Sequence, residues 1–341
     1  MAFEFSDNEK FSIIAIDSCF SEIEEEVELA DGTWVLPKMP ATLDEQWVRW
    51  IGEMRADRLR KADLVIVRRV TSEKPGVLDG EHSDLFDRVR YIFAMLQLES
   101  IVYYDDASAL QGSMEKGWVS IRQMAQLDQF FRTESEPQIP ITIARLSEAV
   151  ELVKIWKETE DSGRYERLIR GLIILLTGLQ RRYDPERVQH FTRAIEGLLL
   201  PEMGKTANQF KERGQTLGVR SKAAHKMLYE SYQMRCDAEH VHALDRTLSK
   251  DYPPDKIEEI ATVRTRQMEA LARLSYRRIL LNVNIRKHFE SDDSIEAFWK
   301  LTEPERQKIW GEPIDVTGFS LADEDDEKLR HLRRKYPQQW A

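Results

Sequence analysis

Tyr232-Gln233-Met234-Arg235-Cys236-Asp237-Ala238-Glu239-His240-Val241-His242 closes a helical run and opens a looser segment. Within these eleven residues stand an arginine, two acids and two histidines. Arg235 and His240 are five positions apart, which across a helix end lets both side chains turn toward one pocket. Arginine supplies a permanent planar cation that matches a phosphate. Histidine supplies a proton donor or acceptor near neutral pH. The pair is the minimum set for breaking an RNA phosphodiester without a metal: a base takes the 2′-hydroxyl proton and a cation stabilises the phosphorane. The ordinary structural alternative is an arginine paired with a carboxylate at a helix end, with histidine as a cap.

The neighbourhood adds to this reading. Tyr232, Arg235, the following Cys236, Asp237 and His240 fall in the order Tyr-x-x-Arg, small residue, Asp, two residues, His. Upstream, Phe191-Thr192-Arg193-Ala194-Ile195-Glu196-Gly197-Leu198-Leu199 is followed by Phe210-Lys211-Glu212-Arg213. Over about residues 145–290 the chain resembles the HEPN superfamily, and most closely its Apea-like branch. In that branch the first segment looks like an Ala-Leu-Glu-x-Leu-Leu helix, the second like a basic helix, and the core like an R-x4-H motif. Cys236 departs from the polar residue often found after the motif arginine, and a thiol is a weaker hydrogen-bonding partner.

The resemblance implies an α-helical bundle that pairs as a homodimer, so that the motifs of both protomers meet in one composite cleft. It implies a metal-independent endoribonuclease that uses no cofactor and leaves a 2′,3′-cyclic phosphate or its hydrolysis product. Arg235 would hold the scissile phosphate and His240 would act as general base or acid. Asp237 and Glu196 would orient these groups or hold the bundle together. Tyr232, His242, Arg277 and Arg278 are the candidate substrate contacts. Such proteins often serve as toxins or antiviral defence effectors. The alternative is a non-catalytic dimerisation or protein-interaction module, as some HEPN domains are. In a third reading the N-terminal domain carries the activity.

Composition bounds these options. A chain of 341 residues with 42% hydrophobic and 32% charged residues supports two soluble globular domains. There is no run of about 18 apolar residues, so no membrane contact is expected. The acidic start Met-Ala-Phe-Glu-Phe-Ser-Asp has no basic region before an apolar core, which predicts no signal peptide. Two cysteines, Cys19 and Cys236, fit a reducing cytoplasm, and no Cys/His spacing suggests zinc. A net charge of −10 argues against a protein that coats nucleic acid through overall charge, but a local basic cleft is enough for an RNA-cutting enzyme.

The fold class expected is α+β, mainly α. An N-terminal α/β domain over residues 1–132 has an unknown role, with a possible protein or small-molecule trigger. A polar, Pro-containing linker covers 133–140, the HEPN-like bundle 141–312 and a charged tail 313–341. In the first domain, strands are expected at 11–17, 63–70 and 101–104, with an Asp31-Gly32 hairpin between them. Helices are expected after Pro40, with Trp47, Trp50, Ile51, Met54 and Leu59 inward, and over 81–98 and 113–131. Asp17 and Asp105-Asp106 end strands where metal-binding acids can sit, although turn acids there are commoner.

In the second domain, Tyr165–Leu179 reads as a central bundle helix. Asp184-Pro185 reads as a capped helix start, and Pro253-Pro254 precedes a long helix to about Leu281. Met203-Gly204-Lys205-Thr206 is not a P-loop: Leu199 stands where glycine is required and a helix precedes it. Arg264, Arg266, Arg273, Arg277, Arg278 and Arg286 could form a basic stripe for RNA, against a solvated face paired with Glu258, Glu259 and Glu269.

Overall fold

A computed structural model describes residues 3–17, 20–41, 45–102, 104, 106–127, 130, 139–240 and 245–316. Cys19, Asp105, His242, most of the expected linker and the tail from 317 lie outside the described residues. The chain is α+β and mainly helical. It divides into two compact units, Met1–Lys154 and Ile155–Ala341.

The N-terminal unit is built on one antiparallel sheet in the order β2-β3-β4-β1-β5-β6. Its strands are β1 (Glu9–Asp17), β2 (Val27–Glu28), β3 (Trp34–Leu36), β4 (Leu64–Thr71), β5 (Asp106–Glu115) and β6 (Trp118–Gln126). Helices α1 (Glu45–Ile51) and α2 (Glu53–Lys61) cover one face. Their Trp47, Ile51, Ala56 and Leu59 pack with Phe11, Ile13 and Ala15 of β1. Helix α3 (Gly80–Leu96) covers the other face, where the buried Lys10 of β1 bonds Asp79 and Glu81 at its start. With helices on both faces, Ile13-Ile14-Ala15-Ile16 and Leu64-Val65-Ile66-Val67 are apolar without alternation. The Asp31-Gly32 hairpin forms as expected, with Val27 opposite Val35.

Three expectations for this unit need correction. The described residues of the expected helix 113–131 are not helical. Lys116 and Gly117 both adopt positive φ, 54° and 76°, and join β5 to β6 in a two-residue hairpin with Glu115 opposite Trp118. Such a turn matches the natural twist of paired strands.

The strand expected at 101–104 begins instead at Asp106. The Val102 N–H donates to the Gln97 side chain rather than to a ladder.

Trp50 and Met54 do not face the core; they are 58% and 71% exposed. Gly52, at φ 87°, splits the helix and changes its phase after Ile51. Asp106 lies opposite Asp17 and accepts from Arg58 and Gln126, which ties β5 to α2 and β6.

Helix α4 (Ile143–Asp161) carries the chain into the second unit, whose named elements are all helices. It contains α5 (Glu166–Leu179), α6 (Asp184–Leu199), α7 (Thr206–Leu217), α8 (Lys222–Glu239), α9 (Asp245–Leu248) and α10 (Ile257–Leu281). The short α11 (Val283–Arg286), α12 (Asp292–Lys300) and α13 (Glu303–Trp310) follow.

Helix α6 lies at the centre and packs against α5, α7, α8, α10 and α12. Its Val188, Phe191, Ala194, Ile195, Leu198 and Leu199 are fully buried, an apolar stripe at helical spacing. Arg213 of α7 caps its last turn by donating to the Leu199 and Leu200 carbonyls, each at 2.7 Å. Ser221 caps the start of α8 by accepting from the Ala224 N–H at 3.0 Å. Among the described residues, no helix is long and apolar enough to cross a membrane.

Candidate functional site

Helix α8 presents two polar faces. Residues 235 and 237 are two steps, or about 200°, apart around a helix, so they look in opposite directions. Tyr232, Arg235 and Glu239 follow the i, i+3, i+7 spacing of one stripe, and that stripe meets Arg193 and Glu196 on α6. Lys226, Glu230 and Asp237 form the other stripe, which meets α9, α10 and the loop between them.

Arg235 lies in a clamp. Its Nη1 is 3.0 Å from Oε2 of Glu239, and its Nη2 is 3.3 Å from Oε2 of Glu196. Nη1 also donates weakly to Sγ of Cys236 at 3.9 Å. The guanidinium carbon sits 5.8 Å from the centre of the Tyr232 ring, which in turn leans on Phe210. Burial opposes the charge of Arg235, yet the two carboxylates outweigh it and its pKa is raised. Burial pushes the Glu196 carboxyl up, against the pull of Arg235. The Tyr232 hydroxyl is pushed up to about 12, first by burial and then by Cys236 and Glu196. Oε1 of Glu196 and Nε of Arg235 are both buried without a hydrogen-bond partner.

This stripe forms part of the wall of an open cleft of about 790 Å³. Arg193 and Glu196 of α6 and Tyr232 and Arg235 of α8 face it. So do Arg164 at the approach to α5, Arg167 and Arg170 on α5, and Asp292 of α12. Among its described lining residues the cleft carries five arginines, and each faces a carboxylate. Arg167 grips Asp292 with two bonds of 2.6 and 2.7 Å. Arg164 lies 2.7 Å from Glu290, Arg170 pairs with Glu166, and Arg193 is 3.8 Å from Glu239. The Arg170 pair is well exposed and Arg164 is exposed against a half-buried Glu290, and exposed pairs hold by only about 0–1 kcal/mol. A phosphate can exchange with their carboxylates at little cost.

The other sequence-derived candidates lie elsewhere. His240 is the exposed C-cap of α8, its N–H donating to the Cys236 carbonyl at 3.1 Å, and it is not among the described residues that line the cleft. Asp237 is buried and accepts from the Thr247 hydroxyl at 2.6 Å, so it fastens α9 to α8. Arg278 donates to the Trp310 and Glu312 carbonyls and lies over the Trp310 ring. Arg277 is half-buried on α10. Neither Arg277 nor Arg278 is among the described lining residues of the cleft.

Two of the other late arginines answer to buried acids, and Arg286 donates to the Leu280 carbonyl. Arg264 bonds Glu230 at 2.6 Å, and Arg273 pairs with Glu269 at 3.2 Å. Arg164, Arg167 and Arg170 escaped the sequence reading. Their signal was the three-residue repeat of Arg164, Arg167 and Arg170 at the head of an apolar helix.

Compared with family models, with curated proteins and with solved structures, the chain gave no match in any of the three.

Proposed function

We propose that the C-terminal unit is a metal-independent endoribonuclease of HEPN type, acting as a homodimer in the cytoplasm, with Arg235 as its phosphate-holding group. The observation that carries this reading is the place of Arg235. It stands with Tyr232 and Glu196 on the wall of an open cleft that bears four further arginines. A guanidinium there can bind a phosphodiester through two parallel bonds and follow its charge into a phosphorane. His240 exchanges protons at the end of the same helix. The chemistry calls for no metal or cofactor. A role as a toxin or antiviral effector, with the N-terminal unit receiving the trigger, belongs to the same proposal.

A specific observation favours the second reading, a non-catalytic dimerisation or interaction module. Arg235 is closed between two carboxylates, and His240 is not among the described lining residues.

The test is paired. Wild type, Arg235→Ala and His240→Ala are expressed in a bacterial host, growth is recorded, and each purified chain is incubated with total RNA in EDTA. Cleavage or toxicity in wild type, lost in both variants, supports the nuclease. Three inert proteins that remain dimeric support the module. Equal cleavage by all three moves the activity away from this site.

A further inference from the structure

We propose that Glu196 is the proton acceptor of this cleft, taking the 2′-hydroxyl proton of an RNA strand held by Arg235. The inference rests on the nuclease reading and assigns within it a role that the arginine–histidine pair leaves open. An in-line displacement puts the attacking and departing oxygens on opposite sides of phosphorus. One group therefore cannot serve both at once, and two are needed. His240 stands at the C-terminal end of α8, whereas Glu196 stands inside the cleft on α6.

Geometry singles out Glu196 among the acids that line the cleft. Glu166 and Asp292 are engaged by exposed Arg170 and Arg167. Glu196 turns one oxygen, Oε2, to Arg235 and leaves the other, Oε1, buried and without a partner. A carboxylate bound through one oxygen to the phosphate-holding cation is placed beside whatever that cation binds. Its surroundings suit a base. From α8 it faces Arg235, Glu239 and Tyr232, and from its own helix Arg193. Across the cleft stand Arg167 and Arg170 of α5 and Asp292 of α12. From α10, the buried Tyr276 hydroxyl is committed to the Ala194 carbonyl at 2.8 Å. Burial lifts the Glu196 carboxyl above its usual range and so strengthens it as a base.

The 2′-hydroxyl proton passes to the Glu196 carboxylate as the 2′-oxygen bonds to phosphorus. The bond from phosphorus to the 5′-oxygen breaks, and that oxygen takes a proton from the imidazolium of His240. A 2′,3′-cyclic phosphate and a 5′-hydroxyl result. Glutamic acid and neutral imidazole then exchange their proton through water.

The experiment uses the full-length chain and a short RNA oligonucleotide. Cleavage is followed against pH for wild type, Glu196→Gln and Glu196→Ala, the last with and without formate. The expected result has three parts. Glu196→Gln loses about 10²-fold or more in kcat/KM. It also loses the acid limb of the wild-type pH profile. Formate restores cleavage to Glu196→Ala, which a misfolded chain would not allow. Two results overturn the proposal while the nuclease reading stands. One is Glu196→Gln cleaving with the wild-type acid limb. The other is Glu196→Ala that melts like wild type and stays inert in formate, which would make Glu196 a clamp for Arg235 and nothing more. An inert wild type removes the nuclease reading and this inference together.

Discussion

The hydroxyl of Tyr276 occupies the space that a side chain at Gly171 would need: a Cβ there would lie 1.8 Å from that oxygen. The hydroxyl donates to the Ala194 carbonyl at 2.8 Å, so one tyrosine of α10 closes against both α5 and α6. Gly197, on α6, approaches the same oxygen. Helices α5 and α6, which both carry cleft residues, meet α10 here without intervening side chains.

Gly171→Ala is therefore expected to destabilise the C-terminal unit by at least the upper end of the usual overpacking cost, about 3 kcal/mol. Tyr276→Phe alone costs about 1 kcal/mol for the lost hydrogen bond. Because the clash is with the hydroxyl itself, the double variant is expected to be more stable than Gly171→Ala alone. Urea denaturation of the four proteins measures this. Strictly additive losses would mean that α5 and α10 separate in solution at this point.

A second set of predictions concerns the buried charges behind α8. Glu230 is 2% exposed and sits between Arg264 at 2.6 Å and the Tyr252 hydroxyl at 3.3 Å, with Lys226 at 3.5 Å. Glu230→Ala leaves the largely buried Arg264 without its anion. The expected loss is about 3–5 kcal/mol, and replacing both partners with apolar residues of similar volume recovers most of it. If Glu230→Ala shifts the denaturation midpoint no more than an exposed substitution does, the network is open to water and this account of it fails.

These buried relationships show why the sequence was only partly legible. The apolar stripe of Tyr165–Leu179 and the Asp184-Pro185 start predict α5 and α6 because core-facing residues must recur at helical spacing. Residues 113–131 read as helix because their apolar positions suit either period. The deciding feature is Lys116-Gly117, where a non-glycine residue adopts positive φ.

The site was legible in part for a similar reason. Arg235, Glu196 and Tyr232 are brought together because α6 and α8 pack side by side. Asp237 was grouped with Arg235 by closeness in sequence, yet two residues along a helix point to opposite faces. No local pattern shows that Arg164, Arg167 and Arg170 share a cleft with Arg235, because that depends on how α5 meets α6.

Asp237 gives a prediction that separates fastening from chemistry. Its bond to Thr247 is charge-assisted, and such bonds contribute about 1.5–3 kcal/mol. Asp237→Ala and Thr247→Val are each expected to lower stability by a loss within that range, and the double variant to lose little more than either one. A coupling energy near zero in this cycle would show that the bond does not hold α9. Under the proposed mechanism, folded Asp237→Asn keeps most of its RNA cleavage, since the side chain faces away from Arg235.

The raised carboxyl of Glu196 makes a prediction about pH and stability that is independent of catalysis. Burial is the main cause of the shift, and Arg235 opposes it. A carboxyl whose pKa is higher in the folded chain than in the unfolded one binds more protons when folded. Stability therefore falls as pH rises from the unfolded value of about 4.3 through the raised folded value. Above that window the buried charge is a constant penalty, and below it the penalty is gone. Glu196→Gln removes the titrating group and keeps the shape. The free-energy difference between wild type and Glu196→Gln, measured by urea denaturation at about pH 5 and about pH 8, is expected to shift in favour of wild type at the lower pH. Arg235 retains Glu239 in both proteins, so its pairing does not reverse the sign. A difference that stays constant across the window would mean that Glu196 is solvated like a surface acid, with its clamp on Arg235 open in solution.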